Sequence, residues 1–207
     1  MRTIWGNSQS SRDRLATQVL LARPARRVPV SADLQSDAPD IVASLLAGGF
    51  DREAARWSRI VEDMDDEPAD SVWAMLAVGA PDGASPGIDA GRIEEFADRD
   101  QSENSRRTAI LVAGLAGLGR INGSTAGELN REYQLGLGAE TGWTRMIDGA
   151  MRRRQVGTVL LLTASALQGS QFENIQGVYL YHAVTALRRT GQEYLARMIL
   201  AEALART

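Results

Sequence analysis

The chain has 207 residues, 44% hydrophobic and 24% charged, an ordinary globular composition with enough length to bury a core without metals or disulfides. It has no cysteine, which excludes disulfides, thiolate catalysis and Cys-ligated zinc or iron–sulfur centres. All 23 basic residues are Arg, which excludes Schiff-base chemistry and Lys-dependent phosphate loops, and the net charge of −3 has no concentrated basic face of the kind nucleic acid needs.

Residues 1–35 read as an extended or partly disordered arm. Arg12–Leu21 has short helical periodicity, and Pro24 and Pro29 then punctuate the Arg-rich stretch Arg23–Val30. Regular helical grammar begins at Pro39, a favourable first helical position, with Ile41, Leu45 and Leu46 forming a stripe that ends at Gly48-Gly49. Asp51 is a cap for the next helix, which carries Ala54, Ala55, Trp57, Ile60 and Val61 and closes in the acidic run Glu62–Glu67. Pro68 opens a helix bearing Val72, Trp73, Leu76 and Ala77, stopped by Gly79 and Pro81. The turn-rich Pro81–Gly87 stretch is the best internal boundary, placed at 81–90 within an otherwise single all-helical domain over 36–207.

A short helix follows at Ile93, Phe96 and Ala97. Thr108–Leu118 is strongly apolar, with Ala109, Ala113, Gly114 and Gly117 small enough to admit a neighbouring helix, and it ends at Gly119. Thr125-x-x-Glu128 reads as a capping box, and Leu129, Tyr133 and Leu137 lie on one face up to Gly136 and Gly138. Trp143, Ile147 and Met151 mark another helix, and Val156–Leu167 the next. Ser170 and Glu173 form a second capping box, opening a helix with Phe172, Ile175, Tyr179, Ala183 and Leu187 that ends at Gly191. The last helix, about 192–205, is expected to turn Tyr194, Leu195, Met198 and Ile199 inward. No segment sustains the period-2 alternation of a strand. The expected fold is all-α: an irregular array of αα-hairpins, solenoid-like, or a compact helical bundle.

Several helices share one ending, an Ala/Leu face closed by glycine. The C-terminal instance, Ala186-Leu187…Gly191…Tyr194-Leu195-Ala196-Arg197, resembles the helix–turn–helix core of tetratricopeptide-like or Sel1-like repeats. The resemblance is best over residues 175–206, and the uneven spacing of the glycines departs from a fixed repeat period. It implies stacked hairpins and a concave surface for a protein partner.

Candidate chemistry is sparse. His182, the only histidine, would need Asp148 with Ser165 or Ser170 brought to it in space to form a triad; the expected role is a packing residue with one hydrogen bond. Asp63, Asp65, Asp66, Glu67 and Asp70 do not keep EF-hand spacing and read as a solvated turn. The glycines of 114–119 and 136–142 lack the preceding strand of a dinucleotide site. Arg152-Arg153-Arg154 points in three directions and makes no single phosphate clamp. Trp5, Arg152, Arg153, Tyr179 and His182 are the residues expected at a partner or ligand contact.

The expectation is therefore a non-enzymatic helical-repeat interaction or scaffold module. It takes no cofactor or metal, binds no nucleic acid, and meets a protein partner or a second copy of itself. The competing expectations are an accessory superhelical domain of a larger envelope enzyme and a small-ligand-binding protein with a pocket near His182. The longest apolar runs, Ala109–Leu118 and Val156–Leu167, fall short of the roughly 20 residues of a membrane span. The expected location is cytoplasmic, or periplasmic if the chain is part of a longer exported protein.

Overall fold

The computed structural model of the chain describes residues 1–6, 11–168 and 176–207, and among them the regular structure is helical throughout. In chain order the α-helices are α1 (Arg2–Trp5), α2 (Ser11–Ala25), α3 (Ala38–Ala47), α4 (Asp51–Ala55), α5 (Asp66–Gly79) and α6 (Ala90–Asp98). They continue with α7 (Arg106–Leu118), α8 (Gly123–Glu132), α9 (Gly142–Arg152), α10 (Val156–Leu167), α11 (Gly177–Arg189) and α12 (Glu193–Arg206). Two compact units replace the single domain expected over 36–207. One comprises Met1–Gly87 with Met198–Arg206, and the other comprises Ile88–Arg197. The chain passes from the first to the second between Gly87 and Ile88.

In the first unit, α2 packs along α3, and α3 along α5. The N-terminal arm is not extended: α2 runs through Pro24 to Ala25 and buries Leu21, Ala22 and Ala25. Pro24 falls in the last turn, where a lost backbone donor costs little, and tertiary burial carries the helix past it. The contact is close because Gly48 has no side chain; a Cβ there would collide with that of Ala22. Gly79, expected as a helix stop, is instead the last residue of α5, and its bare Cα admits Leu46 and Ala201. Asp51 is not a cap but the first residue of α4, and Arg56–Asp63 tightens into a 3₁₀ run that buries Trp57 and Val61.

The last helix also departs from expectation. Tyr194 and Leu195 face outward, whereas Ala196, Leu200, Ala201, Ala203 and Leu204 are buried. The buried stripe is the small one, because alanine lets α12 approach a neighbour more closely than tyrosine does.

In the second unit α11 is central and packs against α7, α9 and α10. The α7–α11 pairing joins helices far apart in sequence, a bundle contact that a nearest-neighbour stack does not make. A Cβ at Gly117 would lie 2.8 Å from Val184 Cγ1 and 3.1 Å from the Tyr181 carbonyl, and one at Gly177 would lie 3.8 Å from Ala113 Cβ. Both contacts advance in the same sense along the two chains, so α7 and α11 run parallel. Arg188 Nε donates to the Gly117 carbonyl at 3.1 Å and closes the pair. The left-handed Gly119 ends α7, with Arg120 N donating to the Leu115 carbonyl at 2.9 Å and Gly119 N to the Ala116 carbonyl at 3.0 Å. α8 is capped by Asn122, whose Oδ1 accepts from Thr125 N at 2.9 Å, not by the expected Thr125–Glu128 box. The expected Ser170–Glu173 box lies outside the described residues.

The entry to α7 is held by Asp100. Its Oδ1 accepts from Ser102 N at 2.9 Å and Ser102 Oγ at 2.6 Å, and its Oδ2 from Thr108 N at 2.9 Å and Thr108 Oγ1 at 2.7 Å. Between them Asn104 (φ 55°) and Ser105 (φ 49°) occupy the left-handed region that side-chain-bearing residues rarely adopt. Burial pushes the Asp100 carboxyl up, and the bonds from Ser102 and Thr108 outweigh it, so it is held below its ordinary value of 3.8.

Two predictions follow from these contacts. Gly117→Ala destabilises by about 1–3 kcal/mol through overpacking even though alanine is the better helix former. Gly127→Ala, mid-helix in α8 with open space around its Cα, stabilises by about 0.5–1 kcal/mol; urea midpoints of the two variants should move in opposite directions. Asp100 lowers the unfolding free energy when it protonates. Its contribution is present above pH 3.8 and is lost as pH falls through the lower folded-state value. Asp100→Asn costs about 2 kcal/mol at neutral pH, from lost charge-assisted bonds, and flattens the acid limb of a stability–pH curve measured by urea titration.

Candidate functional site

The candidate site lies in the second unit, where α9, α10 and α11 meet. α9 begins with a reciprocal cap: Thr141 Oγ1 accepts from Thr144 N at 3.1 Å, and Thr141 N donates to Thr144 Oγ1 at 2.8 Å. The cap fixes the start of the helix and with it Trp143 and Asp148. Trp143 meets Tyr179 of α11 edge to face, with centroids 5.3 Å apart, and its Nε1 donates to the Leu162 carbonyl of α10 at 3.2 Å. One indole thus pins both other helices.

Further along the same two helices, His182 Nδ1 lies 3.0 Å from Asp148 Oδ1. A carboxylate only accepts, so Nδ1 carries the hydrogen and donates. Tyr181 lies edge-on to the imidazole at 5.3 Å. The pairs Trp143–Tyr179 and Asp148–His182 advance in the same sense, so α9 also runs parallel to α11, and the antiparallel α10 completes an up–down–up trio. His182 Nε2 is buried and has no hydrogen-bond partner among the described residues.

The sequence named Asp148 as an acid for His182, and the two do meet. The hydroxyl half of a triad does not form with Ser165, which is exposed on the outer side of α10; Ser170 lies outside the described residues. The pair acts as a strut between α9 and α11. No group of three or more His, Asp or Glu side chains that could hold a metal occurs among the described residues. Asp65 of the acidic run instead bonds Gln35, with its Oδ2 accepting from Nε2 at 3.0 Å.

The other expected contact residues disperse. Trp5 is not an exposed anchor. It is 7% exposed in the first unit, and its Nε1 donates to Ser44 Oγ at 3.1 Å on α3. The indole is too large a hydrophobe to stay in water when α3 offers both a surface and an acceptor. Arg152 and Arg153 are exposed at the end of α9, where Arg153 arches over Gly149 and its Nε donates to Gln155 Oε1 at 3.4 Å.

No protein-family model, curated protein or solved structure matches this chain.

The feature the sequence reading passed over is α10 itself. Val156–Leu167 holds no charged residue, yet among its residues only Val159 and Thr163 are buried. Gly157, Thr158, Leu161, Ala164 and Ser165 are exposed, Leu161 to 71%. A helix apolar all round is ordinarily buried all round. The signal was available: an apolar run of this length offers more nonpolar surface than one inward stripe uses.

Removing one member of the strut leaves the other buried or half-buried without a partner. Asp148→Ala costs about 1–3 kcal/mol on that ground. A double-mutant cycle of Asp148→Ala with His182→Ala, followed by chemical denaturation, is expected to return a coupling of about 0.5–1.5 kcal/mol.

Proposed function

We propose that this chain is a non-enzymatic helical interaction module, and that the outer face of α10 is the surface it offers to a protein partner. The observation that carries the reading is the 71% exposure of Leu161 at the middle of a helix without a single charge. Contiguous exposed apolar surface marks sites of association, and the α9–α11 strut and the Trp143 bond to Leu162 hold this surface on a rigid support. Met146 of α9, 55% exposed, adds a flexible apolar side chain on the same unit. The αα-turn around Gly191 that resembles tetratricopeptide-like repeats agrees with such a role. A second reading, a small-ligand site at His182, draws on the buried Nε2 oriented through Asp148.

The test is retention of proteins from native lysate by the immobilised chain. Leu161→Glu changes an exposed side chain and leaves the fold intact, as circular dichroism checks. It is expected to abolish retention of the bound proteins, whereas His182→Ala is expected to preserve it. Equal retention by Leu161→Glu and wild type would remove α10 from the role, and loss on His182→Ala alone would favour the ligand reading.

A further inference from the structure

We infer that the occupant of the α10 face is a second copy of this chain, docked antiparallel about a two-fold axis through Leu161. The inference rests on the reading of α10 as a docking face and names what fills it.

The exposed residues of α10 form a symmetric set. Counting from Leu161 they fall at −4, −3, 0, +3 and +4: Gly157, Thr158, Leu161, Ala164 and Ser165. Leu161 also sits at the middle of the 12-residue helix. A two-fold interface is isologous, so residue i meets j and j meets i. Antiparallel pairing sets Leu161 on Leu161, Gly157 against Ser165 and Thr158 against Ala164. Every off-centre pair brings together small side chains, so the helices approach closely and the two leucines fill the centre. A parallel pairing would set Gly157 against Gly157 and leave a gap there.

The charges agree. A two-fold contact places any charge on the axis against its like, and this face carries none. The positive residues Arg152, Arg153 and Arg154 precede α10 and are exposed. Helix C-termini carry partial negative charge on unpaired carbonyls. Antiparallel docking brings the Arg cluster of each copy to the C-terminal end of its partner's α10, where Gln168 is exposed. The two Arg clusters then stand apart by about the helix length, roughly 18 Å at 1.5 Å per residue, about twice the screening length at physiological salt. Attraction acts at each end and repulsion between the ends is screened.

Five side chains, four of them small, bury less than the roughly 800 Å² per partner of a standard interface. The pairing is therefore weak and concentration-dependent. The chain is expected to be monomeric near 10 μM and largely dimeric by several hundred μM, about −5 kcal/mol of association.

The absence of cysteine makes the arrangement directly testable. Under mild oxidation Leu161→Cys should form a disulfide-linked dimer at least tenfold faster than Glu103→Cys, an exposed control in the same unit. A mixture of Thr158→Cys and Ala164→Cys chains should cross-link faster than either alone. Light scattering from about 10 to 500 μM should give a rising mass for wild type and a constant monomer mass for Leu161→Glu. Faster cross-linking of Thr158→Cys with itself would overturn the antiparallel arrangement. A monomer at 500 μM, or no advantage for Leu161→Cys, would overturn the second copy as occupant. If that happens while lysate retention still depends on Leu161, the docking face stands with another protein on it; if retention is also indifferent to Leu161, both fall.

Discussion

The close approach of α7 and α11 at Gly117 organises the second unit. A missing side chain lets Val184 and the Tyr181 carbonyl come against the α7 backbone, and Arg188 seals the contact by bonding the carbonyl of that same glycine. Once α11 is fixed there, its remaining faces are available to α9 and α10, and the positions of Tyr179 and His182 follow from the helical register. Glycine in a helix interior costs about 0.5–1 kcal/mol relative to alanine. That cost is offset by dense packing along α11, where Leu180, Ala183, Val184, Ala186 and Leu187 are all buried. The first unit uses the same device at Gly48 against Ala22.

On this frame the polar contacts do positional work. Trp143 bonds α10 and stacks on α11, and Asp148 holds His182, so three helices are fixed by two residues of a single capped helix. The imidazole–carboxylate pair is the arrangement most suggestive of chemistry, and its surroundings argue otherwise. General-base catalysis needs a reacting proton within hydrogen-bond reach of Nε2. That nitrogen is buried without a partner among the described residues, and Ser165 points to solvent.

Much of this was legible in the sequence. The spacing of apolar residues returned α10 with its ends at Val156 and Leu167, and the glycines after α7 and α11 marked left-handed stops. The small residues of α7 announced a close neighbour, although not which one, because pairing across some 70 residues leaves no local trace. Failures had a common cause. Tyr194 and Leu195 were expected inside because they are large and apolar, yet close packing selected the alanine stripe of α12. Pro24 was read as the end of a helix, yet burial of Ala22 and Ala25 outweighed it. Trp5 was read as exposed because its neighbours are polar, when its acceptor, Ser44, lies 39 residues away. Each time a tertiary contact overrode a correct local preference.

The outer face of α10 admits a sharper argument, because the fold of the second unit does not require it to be apolar. Val159 and Thr163 meet the interior, and the Leu162 carbonyl, not its side chain, takes the Trp143 bond. Polar or charged residues at 157, 158, 161, 164 and 165 would leave those contacts untouched and improve solvation. Leu161 in particular exposes a side chain whose burial is worth about 1.5–3 kcal/mol. Internal stability gives that side chain no use in water. Its use has to come from outside the unit, and the symmetric placement of small residues on either side of it is the shape that a second α10 would fit.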